Sequence, residues 1–163
     1  SAMYIPITLN CELATFGPTE RQLGGGGTGP VRRVNYHHPE SDGNLGEILA
    51  LDIPSGEVKW RYRSRAPFNT ATLATAGGLV FAGDWNRTMS ALDAEDGEVL
   101  WQVRLATSNQ GFPISYSVDG KQYVAMPVGT GGASWSGSLP RELVPELSRP
   151  RNGSSIYVFA LPD

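Results

Sequence analysis

From Gly46 onward, apolar and polar residues alternate in short runs broken by Gly, Pro, Asp and Asn. That period of two predicts strands at Glu47–Asp52, Glu57–Arg63, Thr70–Ala76, Leu79–Asp84, Thr88–Asp93, Glu98–Leu105, Phe112–Val118 and Gln122–Val128. Met3–Leu9 and Ser155–Leu161 read as two more strands, and Asp119-Gly120 marks a tight hairpin turn. Two stretches break the rhythm. Residues 12–46 lack periodicity and hold a glycine cluster with Pro18, Pro30 and Pro39. Residues 129–154 are rich in Gly, Ser and Pro, with one helical turn expected over Glu142–Leu147. Excursions of this length are usually functional or are held by other parts of a protein.

The alternation is also repeated. Ala50-Leu51-Asp52-Ile53-Pro54-Ser55-Gly56-Glu57-Val58-Lys59-Trp60 returns, shifted by 41 positions, as Ala91-Leu92-Asp93-Ala94-Glu95-Asp96-Gly97-Glu98-Val99-Leu100-Trp101. A period of about 40–45 residues marks propeller blades, each a small sheet that cannot bury its face alone. The aspartate precedes a turn whose N–H groups a carboxylate can accept, and Gly56 and Gly97 supply positive φ there. Val58 and Trp60, like Val99 and Trp101, are expected on one strand face, with small Ala50 and Ala91 leaving room for an indole. The fold expected is all-β, a single partial propeller of about three antiparallel blades at approximately 3–65, 66–106 and 107–163. A closed propeller typically needs roughly four to eight blades, so the chain reads as a truncated C-terminal arc.

Composition adjusts this picture little. With 40% hydrophobic and 18% charged residues, the chain has the make-up of a globular protein. A formal net charge of −3, with basic residues paired only at Arg32-Arg33 and Arg149/Arg151, argues against a nucleic-acid surface. One cysteine, Cys11, excludes an internal disulfide and a cysteine-based zinc site. No apolar run is long enough to span a membrane, and no stretch of these residues reads as a signal peptide. Ser1-Ala2 reads as a vector remnant ahead of an abrupt strand, which again suggests truncation.

The repeat A-x-D-x-x-x-G-x-x-x-W resembles the tryptophan-docking motif of the PQQ-dependent (quinoprotein) alcohol and methanol dehydrogenases, which are eight-bladed propellers. Asn69–Gly83 (NTATLATAGGLVFAG) is similar to their N-G-G-x-L-A-T-A-G-G-L-V-F-x-G segment. Asp119–Ala125 (DGKQYVA), followed by Gly129-Thr130-Gly131-Gly132, is similar to their D-G-K-Q-Y-V-A…G-x-G-G ending. Met3-Tyr4-Ile5-Pro6 and the closing Val158-Phe159-Ala160-Leu161-Pro162 complete the resemblance, which runs over most of the chain in the family's order.

That resemblance implies a periplasmic oxidoreductase acting on primary alcohols. It would use PQQ with Ca²⁺ or a lanthanide and pass electrons to a cytochrome c. No motif here matches the family's metal ligands, catalytic aspartate or vicinal cysteine pair, so no catalytic or metal residue is carried over. Cofactor contacts are expected from Asn69 and Thr70, where the family's Gly-Gly is Thr70-Ala71, and from the turn holding Gly132, Ala133 and Trp135. Trp135 is either a displaced equivalent of the family's Trp beside PQQ or an exposed loop residue. Ala50, Asp52, Gly56, Trp60, Ala91, Asp93, Gly97 and Trp101 are expected to be architectural.

Other motifs give way to plainer readings. Gly24–Gly29 fits G-x-G-x-x-G, but Pro30 follows where a dinucleotide fold needs a helix. His37-His38 and the group Glu40, Asp42, Glu47 read as loop residues before metal ligands. Asn86-Arg87-Thr88 and Asn152-Gly153-Ser154 match the N-glycosylation pattern. Two classes stay open: a segment of a quinoprotein dehydrogenase, inactive and cofactor-free by itself, or a propeller of PQQ-like repeats serving as a binding scaffold. Open blade faces predict self-association as a twofold homodimer, in addition to contacts with the rest of a propeller.

Overall fold

In the computed structural model, residues 1–17, 32–129, 139–147, 150 and 153–161 are described. The Gly24–Gly29 motif and the candidate residues Gly132, Ala133 and Trp135 lie outside them. The chain runs β1 (Ala2–Thr8), β2 (Asn10–Thr15), β3 (Arg32–His37), β4 (Gly46–Asp52), β5 (Val58–Ser64), β6 (Leu73–Ala74), β7 (Leu79–Gly83), β8 (Thr88–Asp93), β9 (Val99–Arg104), β10 (Ile114–Val118), β11 (Lys121–Gly129), α1 (Leu139–Leu143) and β12 (Ser154–Ala160). Three antiparallel sheets, ordered β1-β4-β5, β6-β7-β8-β9 and β10-β11-β12, are successive blades of a partial propeller, while β2 and β3 form a separate hairpin.

Register shows which blade position each strand occupies. Tyr4 faces Ala50, Phe81 faces Ala91 and Tyr123 faces Ala160 across the sheets. So β1, β7 and β11 are equivalent, and β1 is a second blade strand rather than a first. β12 likewise stands where β4 and β8 stand.

The repeat folds twice in the same way. Gly56 N–H donates to Asp52 O at 2.8 Å and Gly97 N–H to Asp93 O at 3.0 Å, with φ of 72° and 79°. Each copy carries a bulge after its alanine, at Ala50/Leu51 and Ala91/Leu92. The extra residue corrects the expected shared face: Val58 is exposed while Trp60 is buried, because a bulge breaks simple alternation. The indole beside Ala50 comes from the paired strand, since Ala50 faces Trp60 directly.

Apolar side chains fill the spaces between blades. Ile48, Ala50, Trp60, Phe68, Val80, Ala82 and Leu92 form the core between the first and second sheets. Met89, Leu105, Val124, Met126 and Val128 form that between the second and third. Trp60 crosses the first gap: its Nε1–H donates to Ala94 O at 3.1 Å, and its ring lies where a Cβ on Gly97 would stand, 2.7 Å from Cε3. Only glycine leaves that space. Tyr4 stands 5.6 Å from the Trp60 ring and donates its hydroxyl to the same carbonyl at 2.9 Å.

Three local expectations fail for physical reasons. Thr70–Ala76 pairs only at Leu73–Ala74, since the Thr70 hydroxyl bonds backbone at Ala71 and Gly83 and Thr72 Oγ1 donates to Tyr4 O. Such side-chain bonds compete with a ladder. The stretch 12–46 contains the β2–β3 hairpin, hidden in the sequence because Leu13 and Tyr36 point outward rather than into a core. The helical turn lies at Leu139–Leu143, a few residues ahead of Glu142–Leu147.

Candidate cofactor-facing end

Strand direction puts the two repeat turns at one end of the blades and Asn69 at the other. β5 leaves the first turn near Trp60, ends at Ser64, and leads through Pro67 and Phe68 to Asn69. Asn69 is half-buried, and its amide bonds to none of the described residues. Thr70 behind it is 4% exposed, and its hydroxyl donates to Gly83 O at 3.2 Å. The Thr70 side chain therefore turns into the blade, so it stays clear of the space in front of Asn69.

The turn between β7 and β8 ties this end together. Trp85 N–H donates to Pro67 O at 2.9 Å, and Ser108 Oγ–H donates to Trp85 O at 2.8 Å. Asn109 Nδ2–H donates to Asp84 O at 3.2 Å and to Thr88 O at 2.8 Å. The connections leading into and out of the second blade thus meet on one peptide segment. Asp84 accepts Thr88 N–H at 2.8 Å, yet burial raises its pKa from 3.8 to about 6 because desolvation outweighs those bonds. Asn109 Oδ1 and Thr107 Oγ1 are buried without a partner among the described residues. Asp84, Trp85, Ser108 and Asn109 were not among the residues expected from sequence. Their only sequence signal is a Gly-Asp-Trp-Asn turn where a plain hairpin would suffice.

The described parts of both long excursions, 32–46 and 139–147, meet at this end. Asn35 Nδ2–H donates to Glu142 Oε2 at 2.6 Å, His37 Nε2 lies 2.9 Å from Leu143 O, and Arg65 Nε–H pairs with Glu146 at 2.6 Å. Arg65 also donates to Gly43 O. Leu45, Leu139 and Val144 are buried beneath these bonds. The 139–147 segment is thereby strapped to β3 and to Arg65 at the end of the first blade. The Arg65 partnership lowers the pKa of Glu146.

The remaining candidates separate cleanly. Asp52, Gly56, Asp93 and Gly97 shape the opposite turns, Ala50 and Ala91 lie beside their tryptophans, Trp60 is 7% exposed and Trp101 is 37% exposed. His38 Nδ1 accepts the Glu40 N–H. Glu47 is not in a solvated acidic loop: it is 1% exposed and clasped by Arg61 at 2.7 Å and Arg63 at 2.8 Å. No group of three or more metal-ligating side chains occurs among the described residues. No helix there is long and apolar enough to cross a membrane. The half-buried amide of Asn69 has the donor and acceptor chemistry to meet a quinone's carbonyl or carboxylate oxygens. The described residues supply nothing that would grip the associated metal.

These features define an arc of a β-propeller with a polar, cross-linked end. Residues 63–124 match the family model described as the glucose/ethanol/alcohol dehydrogenase β-propeller domain, PQQ. The chain is 37% identical over 124 residues to a quinoprotein ethanol dehydrogenase of Pseudomonas aeruginosa, covering 74% of this chain and 19% of that protein. It is 38% identical over 128 residues to a 1-butanol dehydrogenase (cytochrome c) of Thauera butanivorans, covering 78% and 17%. A europium-containing methanol dehydrogenase superposes with a TM-score of 0.83 at 27% identity, over 98% of this chain and 31% of that one. The chain belongs to the quinoprotein alcohol and methanol dehydrogenase family. It spans less than a fifth of the length of those two curated relatives.

Proposed function

We propose that this chain is a C-terminal blade segment of a PQQ-dependent dehydrogenase that oxidises primary alcohols and passes electrons to a cytochrome c. What supports this is one alignment of fold and sequence: the Asn69 segment lies within both the family-model match and the superposition on a methanol dehydrogenase. A relative named for cytochrome c supports the acceptor, and the family resemblance supports a periplasmic setting.

In this reading Asn69 donates its amide N–H to an edge oxygen of PQQ. Thr70 and the Asp84–Asn109 network hold Asn69 in place from behind. The cofactor, when bound, supplies the electrophilic quinone carbonyl. Gly132, Ala133 and Trp135, outside the described residues, are the further cofactor contacts this reading expects. Ca²⁺ or a lanthanide would be held by residues outside this segment, so the chain alone binds neither metal nor substrate productively.

The test uses the full-length polypeptide containing this sequence, reconstituted with PQQ and Ca²⁺ and assayed on ethanol with an artificial electron acceptor. Turnover is expected, and Asn69→Ala should weaken PQQ binding about tenfold, the worth of one good hydrogen bond. The isolated chain under the same conditions should match a no-protein control. A full-length protein without turnover would overturn the assignment.

A further inference from the structure

The repeat does not stop at its tryptophan. Counted 41 positions on, Ala66-Pro67-Phe68-Asn69 becomes Thr107-Ser108-Asn109-Gln110, and the two stretches share one burial pattern: three buried residues, then a half-buried carboxamide. Pro67 O accepts the Trp85 N–H at 2.9 Å and Ser108 O accepts the Gly129 N–H at 3.1 Å, so each connection is pinned at its second residue by the blade that follows. Each carboxamide stands four residues ahead of an edge strand, Asn69 before Leu73 of β6 and Gln110 before Ile114 of β10. Asn69 and Gln110 therefore hold the same place on neighbouring blades, at one end and along one edge.

The packing beneath Gln110 is built to hold it. Asn109 pairs with Val128 in a single bridge, and its side chain turns into the second blade, where Nδ2–H donates to Asp84 O and Thr88 O. Successive side chains of extended backbone point to opposite sides, which sends Gln110 away from that junction. Phe68 fills the first junction with an apolar ring, whereas Asn109 at the same place in the second is fully buried, with its Oδ1 unpartnered among the described residues. A buried amide stabilises less than a packed ring. What it provides instead is a backbone fixed by hydrogen bonds next to Gln110, the support that a contact residue needs.

We infer that Gln110 is a second cofactor contact, its carboxamide meeting a carboxylate or carbonyl oxygen of the same bound quinone that Asn69 meets. The inference rests on the dehydrogenase reading and extends it to a residue that no sequence motif marked. One amide holds a flat, oxygen-rimmed ligand at a point and leaves it free to turn. Two amides on adjacent blades fix its orientation as well.

The test titrates the full-length polypeptide containing this sequence, freed of cofactor, with PQQ in the presence of Ca²⁺ and follows quenching of tryptophan fluorescence. Gln110→Ala should raise the PQQ Kd about tenfold, the loss of one hydrogen bond to a charged oxygen. Gln110→Glu keeps the shape but sets a negative charge against the quinone's carboxylates, and should raise it at least about a hundredfold. Gln110→Asn should fall between wild type and Gln110→Ala. Gln122→Glu, exposed at the other end of the third blade, should leave Kd unchanged. Wild-type protein that does not bind PQQ would overturn the dehydrogenase reading and this inference together. Binding that weakens in Asn69→Ala but stays at the wild-type level in Gln110→Ala and Gln110→Glu would overturn this inference alone. So would an affinity loss in the Gln110 variants matched by a lower melting temperature of the cofactor-free protein, which would assign Gln110 to the fold.

Discussion

Asp52 and Asp84 each sit before a turn and accept a backbone N–H, Asp52 from Ser55 and Asp84 from Thr88. Their surroundings reverse the outcome. At the repeat end Asp52 is in water, and its bonds to Ser55 lower its pKa. At the Asn69 end Asp84 is buried, with Thr88, Asn86 and Ser64 donating to its carboxylate, and desolvation still raises its pKa to about 6. The first end is apolar within and charged only at its rim, which suits a joint made for packing. The second keeps polar groups dry and cross-linked, which costs stability and suits a surface that must hold a polar contact in place.

Six substitutions, read in four tests, would break or sharpen that contrast. Trp60→Ala should cost about 3–5 kcal/mol in urea unfolding, while Trp101→Ala, already part-exposed, should cost about 1–2 kcal/mol. Equal losses would mean that docking is not what stabilises the repeat end. Asp84→Asn should stabilise the chain at neutral pH by up to about 3 kcal/mol, the worth of a shift from 3.8 to about 6. The raised pKa means wild-type stability is full below pH 3.8 and falls as pH rises through about 6, whereas the variant should be flat over that window. A parallel pH profile for the two proteins would refute the buried-acid account. Gly97→Asn should cost about 1–3 kcal/mol by displacing the Trp60 ring, and Gly56→Asn under about 1 kcal/mol because its turn is open. Thermal melts of the pair would decide that. The smallest effect is expected for Asp52→Asn. It should be slightly destabilising and of the opposite pH sense, since a lowered pKa gives stability that is lost as pH falls through the carboxylate range.

Legibility in the sequence followed the same division. The repeat end is local: Asp, Gly and Trp lie within one turn and one strand, so spacing alone reveals both turns and the propeller class. Sequence spacing could not show that Trp60 fills the Gly97 turn and no ring fills the Gly56 turn, because that contact spans two blades. At the Asn69 end almost nothing is local. Asp84 to Asn109 and Asn35 to Glu142 join residues 25 and 107 apart, and neither pair has a pattern of its own. The expectation at Asn69 came from family resemblance, not from any pattern in the chain. Glu47 looked like a solvated loop carboxylate because its two arginine partners stand on the next strand, where alternation shows their position but not their reach.

The strap changes how disturbances travel. A row of blades that touch only their neighbours passes a perturbation along one at a time, as in any linear array. Here the bonds from Asn35, His37 and Arg65 to the 142–146 segment tie β3 to a partner about a hundred residues away, without involving the second blade's sheet. β3 therefore has a hold that does not pass through the blade cores. Loosening the core around Met89 and Met126 should therefore leave amide exchange in β3 partly protected. Cutting Arg65–Glu146 as well should release it.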